Sequence, residues 1–155
     1  MEKELSIQEL KHDILRRYGG RVNSSDFGIM DIIINSPRGE NISFVLQHYS
    51  SEEISYKIFF KDYISFQVKD DMFTPEKNLK RTQFDINYDG FLLNKLHDTK
   101  YLKFLKENTD LQFYEDIQYP GTENVQQFSI FEQNLIVDVI TISLPQITLI
   151  ENYKK

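Results

Sequence analysis

The chain has 155 residues, with 18 Lys and Arg against 24 Asp and Glu, for a formal net charge of -6. Hydrophobic residues at 40% and charged residues at 27% exclude wholesale disorder and a collagen-like chain, and the length suits one domain, residues 1–155. The acidic balance argues against nucleic-acid binding and for a basic partner.

Three absences narrow the field further. With no Cys, the chain forms no disulfide, zinc-thiolate site, iron–sulfur cluster or thiol nucleophile. The opening Met1 to Asp13 carries charges throughout and lacks the apolar stretch of a secretory signal. The longest apolar stretch, Leu135 to Leu144, contains Asp138 and falls well short of the roughly 20 residues of a membrane span. A cytoplasmic protein is the simplest expectation.

In chain order, Ser6 and Glu9 form an S-x-x-E capping box, with Leu5 and Leu10 at the staple positions around it. Ile7, Leu10, Ile14 and Tyr18 recur at helical spacing until Gly19-Gly20, which predicts an N-terminal helix. From Phe27 the period changes to two. Ile42, Phe44 and Leu46 alternate with Ser43, Val45 and Gln47; Ile54, Tyr56, Ile58 and Phe60 do so with Ser55, Lys57 and Phe59. Ile64, Phe66 and Val68 alternate with Tyr63, Ser65, Gln67 and Lys69. This is the mark of antiparallel strands with one buried face.

Ser36-Pro37-Arg38-Gly39 and Ser50-Ser51-Glu52-Glu53 read as turns, and Lys61-Asp62-Tyr63 as a tight turn or a bulge. Thr74-Pro75-Glu76 reads as another turn, and Phe84, Ile86 and Tyr88 alternate again. Asp98 is the expected cap of a second helix over Thr99 to Asn108, with Tyr101, Leu102 and Leu105 inward and Lys100, Lys103 and Lys106 outward. A polar loop over Gln118 to Gln127 precedes two strands, Gln127 to Phe131 and Leu135 to Ser143. Pro145 breaks the pattern before Ile147 to Ile150. The expected fold class is α+β, a mostly antiparallel sheet with an N-terminal helix and a second helix near 99–108.

The run Asp62 to Asp71, sequence DYISFQVKDD, resembles a strand segment of small bacterial proteins of unassigned function. The helix start Leu96 to Leu105, the strand pair Gln127 to Phe131 and Leu135 to Val139, and the trailing Pro145 resemble the same group. The likeness covers roughly residues 54–150, with Asp71 standing where the pattern has Glu. Such proteins are often immunity proteins of bacterial polymorphic toxins. The resemblance therefore implies a non-catalytic binding protein that occludes a cognate toxin, and it transfers no functional residue.

Individual residues offer several candidates. Asp85, Asn87 and Asp89 followed by Gly90 reproduce the front of a calcium loop, but Leu96 stands where a bidentate acid is required. A strand and turn are the simpler reading, with a calcium or small-molecule site as the alternative function. Asp138 shares an alternating face with Ile136, Ile140 and Ile142, so burial would force it to find partners at a bulge, on backbone amides or on a Tyr hydroxyl. A hydrolytic site would need it beside His48 or His97.

His12, His48 and His97 form no local motif, and Arg16, Arg17 and Arg21 suit the end of a helix, where its dipole favours cations. No catalytic, cofactor-binding or metal-ligating residue is assigned. The acidic pairs Glu52-Glu53, Asp70-Asp71 and Glu115-Asp116 are the candidate contacts for a protein partner, concretely a basic toxin. Neither nucleic acid nor a membrane is expected as a partner, and a homodimer through an uncovered sheet edge stays open. Any aromatic exposed beside these acids would be a candidate anchor.

Overall fold

The computed structural model describes residues 1–19, 26–35, 41–70, 92–96, 99–111 and 125–151. The capping box forms as the sequence indicates: Glu9 N donates to Ser6 Oγ at 3.1 Å, and Ser6 N to Glu9 Oε2 at 2.7 Å. Helix α1 then runs over Ile7–Tyr18 and stops at Gly19, whose φ of 92° is open to glycine without strain. Leu10 and Ile14 are fully buried, whereas Ile7 is exposed.

Among the described residues there are nine strands: β1 (Glu2–Leu5), β2 (Phe27–Asn35), β3 (Asn41–His48), β4 (Ile54–Lys61), β5 (Tyr63–Asp70), β6 (Leu93–Leu96), β7 (Gln126–Phe131), β8 (Leu135–Thr141) and β9 (Gln146–Glu151). Helix α2 spans Lys100–Asn108. All pairings are antiparallel, so the α+β class holds. The strands form two sheets, a five-stranded one ordered β1-β9-β4-β3-β2 and a four-stranded one ordered β5-β8-β7-β6.

The chain changes sheet at Asp62, the residue that left turn and bulge undecided. Its φ of 56° places it in the left-handed region, which Asp tolerates better than most residues. The Lys61 carbonyl beside it accepts hydrogen bonds from the Thr141 and Ser143 hydroxyls, which ties the corner to the end of β8. A bulge also follows in β5 between Tyr63 and Ser65. It overturns the simple alternation there: Tyr63 and Phe66 pack into the main core, while Ile64 packs on the opposite side with α2.

The main core lies between the sheets and under α1. Phe44, Tyr56, Ile58, Phe60 and Leu149 of the first sheet meet Phe128, Ile130, Val137 and Val139 of the second. The Phe60 and Phe128 rings meet across the sheets, tilted by 46° with 5.8 Å between centroids. A smaller cluster holds α2 against the far face of the second sheet, through Ile140, Tyr101, Leu102 and Leu105.

Three expectations need correction. The cap of α2 is Thr99, whose Oγ1 accepts from Leu102 N at 3.0 Å; Asp98 lies outside the described residues. β1 and β6 were not foreseen, because their four-residue patterns are too short to show a period. Strand β7 starts at Gln126, one residue before the expected Gln127, and β8 ends at Thr141 rather than Ser143. The predicted turns at Ser36–Gly39 and Thr74–Glu76, and the alternation of Phe84, Ile86 and Tyr88, fall outside the described residues. Among the described residues, no helix is long and apolar enough to cross a membrane.

Candidate functional site

Asp138 sits in a polar row that crosses the second sheet. The register aligns Gln67 of β5 with Asp138 of β8, Asp138 with Ser129 of β7, and Ser129 with Asn94 of β6. These residues share the face that α2 covers, so alternation assigned Asp138 to the correct side. It is only 1% exposed. Its Oδ1 accepts from the Ser129 hydroxyl, and its Oδ2 from Gln67 Nε2 at 2.8 Å. Lys69 Nζ lies 2.9 Å from the same oxygen.

The partners are thus side chains of both neighbouring strands, not the bulge, backbone amides or Tyr hydroxyl expected of an isolated buried carboxylate. Ser65 on the same face hydrogen-bonds the Tyr101 hydroxyl at 2.6 Å, and Thr99 donates to Gln127 Oε1. The Tyr101 hydroxyl is held above its usual pKa by burial, with the Asp138 charge adding in the same direction. Every atom of the carboxylate has a protein partner, so the row acts as a bolt between strands. It offers no free acid or base.

The hydrolytic arrangement does not form with His48. That residue lies on the first sheet, buried between Tyr18 at 4.1 Å and Tyr49 at 4.8 Å, both nearly parallel to its ring. Its Nδ1 faces Ser50, with the Ser50 amide at 3.2 Å and the Ser50 hydroxyl at 2.6 Å. His12 is exposed on α1, and His97 lies outside the described residues. Asp85, Asn87 and Asp89 of the calcium-like motif also lie outside them. Among the described residues, no three His, Asp or Glu side chains cluster as metal ligands.

The arginines are engaged at the rim. Arg17 bridges Asp13 and Glu151 at 2.8 Å each, and Arg16 reaches Asp13 at 2.8 Å. Tyr56 donates its hydroxyl to Asp13 at 2.8 Å. Burial pushes the Asp13 carboxyl upward, but the bonds from Arg16, Arg17 and Tyr56 outweigh it and hold the pKa below the ordinary value. The structural reading of these cations, as residues of the last helical turn, accounts for Arg16 and Arg17; Arg21 lies outside the described residues. On α2, Lys100 and Lys103 are exposed and Lys106 is half-buried.

The acidic candidates come together better. Glu52 and Glu53 are exposed on the turn between β3 and β4. Tyr49 starts that turn, and its amide donates to Asp26 O at 3.0 Å. Gln133, in the turn between β7 and β8, donates to Phe27 O at 3.0 Å, which brings this turn to the same end of the molecule. Glu132 of that turn accepts from Ile29 N at 3.4 Å. Asp70 is exposed and pairs with Leu135, just past the turn.

One end of the molecule therefore carries Asp26, Glu52, Glu53, Asp70 and Glu132. Asp71, Glu115 and Asp116 lie outside the described residues. Tyr49 stands among these acids, 74% exposed. It is the outermost of three stacked rings, Tyr18, His48 and Tyr49, so its orientation is fixed from beneath while its outer face meets solvent. Sequence reasoning anticipated an exposed aromatic beside the acids without naming it; Asp26 and Glu132 gave no signal, because only tertiary contact brings their turns together. Comparison of the chain with protein-family models, with curated proteins and with solved structures gives no match.

Proposed function

We propose that the chain is a non-catalytic, cytoplasmic protein-binding protein, in its most concrete form an immunity protein that neutralises a cognate toxin by covering its working surface. The observation that carries this reading is the fixed, exposed Tyr49 amid Glu52, Glu53 and the neighbouring carboxylates. An aromatic held by stacking loses little freedom when a partner closes over it, and such residues anchor many interfaces. Surrounding carboxylates steer a basic partner and add specificity in orientation. The overall charge of -6 works in the same direction.

The test is capture from source-cell lysate at low and high salt, run in parallel with the wild type, Tyr49→Ala and the pair Glu52→Lys, Glu53→Lys. The expected result is a basic protein, stoichiometric with wild type, released at high salt and lost or much reduced with both variants. A partner retained equally by all three proteins, or none captured from cells shown to express a cognate basic toxin, overturns the proposal.

A further inference from the structure

The first sheet has two edges of very different character. β1 is four residues long, Glu-Lys-Glu-Leu, and its charges discourage further pairing. β2 at the other edge has nine residues with a single charge, Asp31. Along it Met30 is 59% exposed, Ile32 40%, Ile33 41% and Ile34 46%. The start of this edge is already occupied: Phe27 O and Ile29 N are bonded by the turn after β7. A bulge at Met30 separates that part from the remainder. Among the described residues no strand pairs with the outer edge of what is left, Asp31 to Asn35, a regular segment with apolar side chains on both faces and neither Pro nor Lys to block addition of a strand.

We infer that two copies of the chain pair along this segment, antiparallel about a two-fold axis at Ile33, joining their five-stranded sheets into one. A second copy fits because the segment is complementary to itself in this register. Residues opposite one another across such an axis share a face, as antiparallel pairing demands. Ile33 then meets Ile33 of the second copy, Ile32 meets Ile34 in both directions, and Asp31 meets Asn35, whose amide can donate to the carboxylate. Shifting the axis to Ile32 sets Asp31 against Ile33, an apolar side chain that cannot satisfy it. No acid faces its own copy in the favoured register.

A contact of five residues from each copy is smaller than a typical specific interface of roughly 800 Å² per partner, so the association is weak and readily reversible. Each copy carries a charge of -6, and the contact itself is apolar. Salt therefore strengthens this dimer by screening repulsion between the copies, the reverse of its effect on a basic partner at the Tyr49 end. Failure of one proposal is thus separable from failure of the other.

The test is sedimentation equilibrium of the full chain from about 1 to 200 μM at low and high salt, with Ile33→Lys and Ile33→Glu beside the wild type. The expected result is a monomer–dimer equilibrium tightened several-fold by salt. Each variant alone is expected to be monomeric with its circular dichroism unchanged, and an equimolar mixture of the two to dimerise again. Because the chain has no Cys of its own, Ile33→Cys supplies an independent readout: it should cross-link across the axis far faster than Ile32→Cys. A wild type monomeric throughout, or a dimer indifferent to Ile33→Lys, overturns the inference. Cross-linking through Ile32→Cys in preference to Ile33→Cys overturns the register.

Discussion

β8 presents two faces that do different work within one strand. Val137 and Val139 look into the core between the sheets, among Phe60, Phe128 and Ile130. On the other side Ile140 packs under α2, while Asp138 between Ile136 and Ile140 anchors the polar row. The apolar face gains from removing area from water, a non-directional term that tolerates small adjustments. The polar face gains little net energy, but its hydrogen bonds have one correct register. A slip of either neighbouring strand would strand a buried carboxylate. The contrast teaches that β8 draws its stability from one face and its alignment from the other.

The largest effect should come from the apolar face. Phe128→Ala removes a fully buried ring that packs against Phe60, and should cost about 3–5 kcal/mol in urea unfolding. A cost under about 1 kcal/mol would mean that the sheets do not share one close-packed core. On the polar face, Asp138→Ala leaves Ser129 and Gln67 without their acceptor, while Lys69, being partly exposed, can turn to water. The expected loss is about 2–3 kcal/mol. Replacing the set together, Asp138→Val with Gln67→Leu and Ser129→Ala, should recover most of that loss. Hydrogen exchange of the β5 and β7 amides then asks the sharper question: if the row governs alignment, protection there stays below wild type even when global stability returns.

How much of this was legible beforehand depends on the reach of each signal. Period-two alternation located β3, β4, β7 and β8 and placed Asp138 on the right face, because both depend on residues adjacent in sequence. The capping box of α1 is also local, and it formed as written. The division into two sheets was not legible, since it turns on one residue, Asp62, adopting a positive φ that Asp permits but does not require. The partners of Asp138 come from strands 9 and 71 positions away, and no spacing rule connects them. The acidic end followed the same logic: Glu52 and Glu53 were visible as a pair, while Asp26 and Glu132 joined them only through contact between turns.

A smaller effect tests whether α2 belongs to the polar row. Thr99 caps the helix and also donates to buried Gln127, so one side chain links the helix start to β7. Thr99→Ala should cost about 1–2 kcal/mol, whereas Thr99→Ser, which keeps the hydroxyl, should lose much less. Equal losses in the two variants would locate the contribution of Thr99 in its methyl packing instead.

The smallest effect contrasts buried and rim electrostatics through pH. Asp13 is bonded by Arg16, Arg17 and Tyr56, and its pKa lies below the ordinary aspartate value, hydrogen bonding having outweighed burial. A carboxylate depressed in the folded state binds fewer protons there than in the unfolded chain. It therefore contributes stability above its unfolded pKa of about 4, and that contribution is lost as pH falls through the lower, folded value. Tyr56 runs the opposite way: burial first, then its bond to Asp13, raises its pKa above the ordinary tyrosine value of about 10. Its contribution is present below that value and is lost as the solution becomes more alkaline. In urea midpoints measured from pH 2 to 11, Asp13→Asn should flatten the acid limb and Tyr56→Phe the alkaline one. If Asp13→Asn leaves the acid limb as steep as in the wild type, the arginine bonds at the rim are not what Asp13 contributes to the fold.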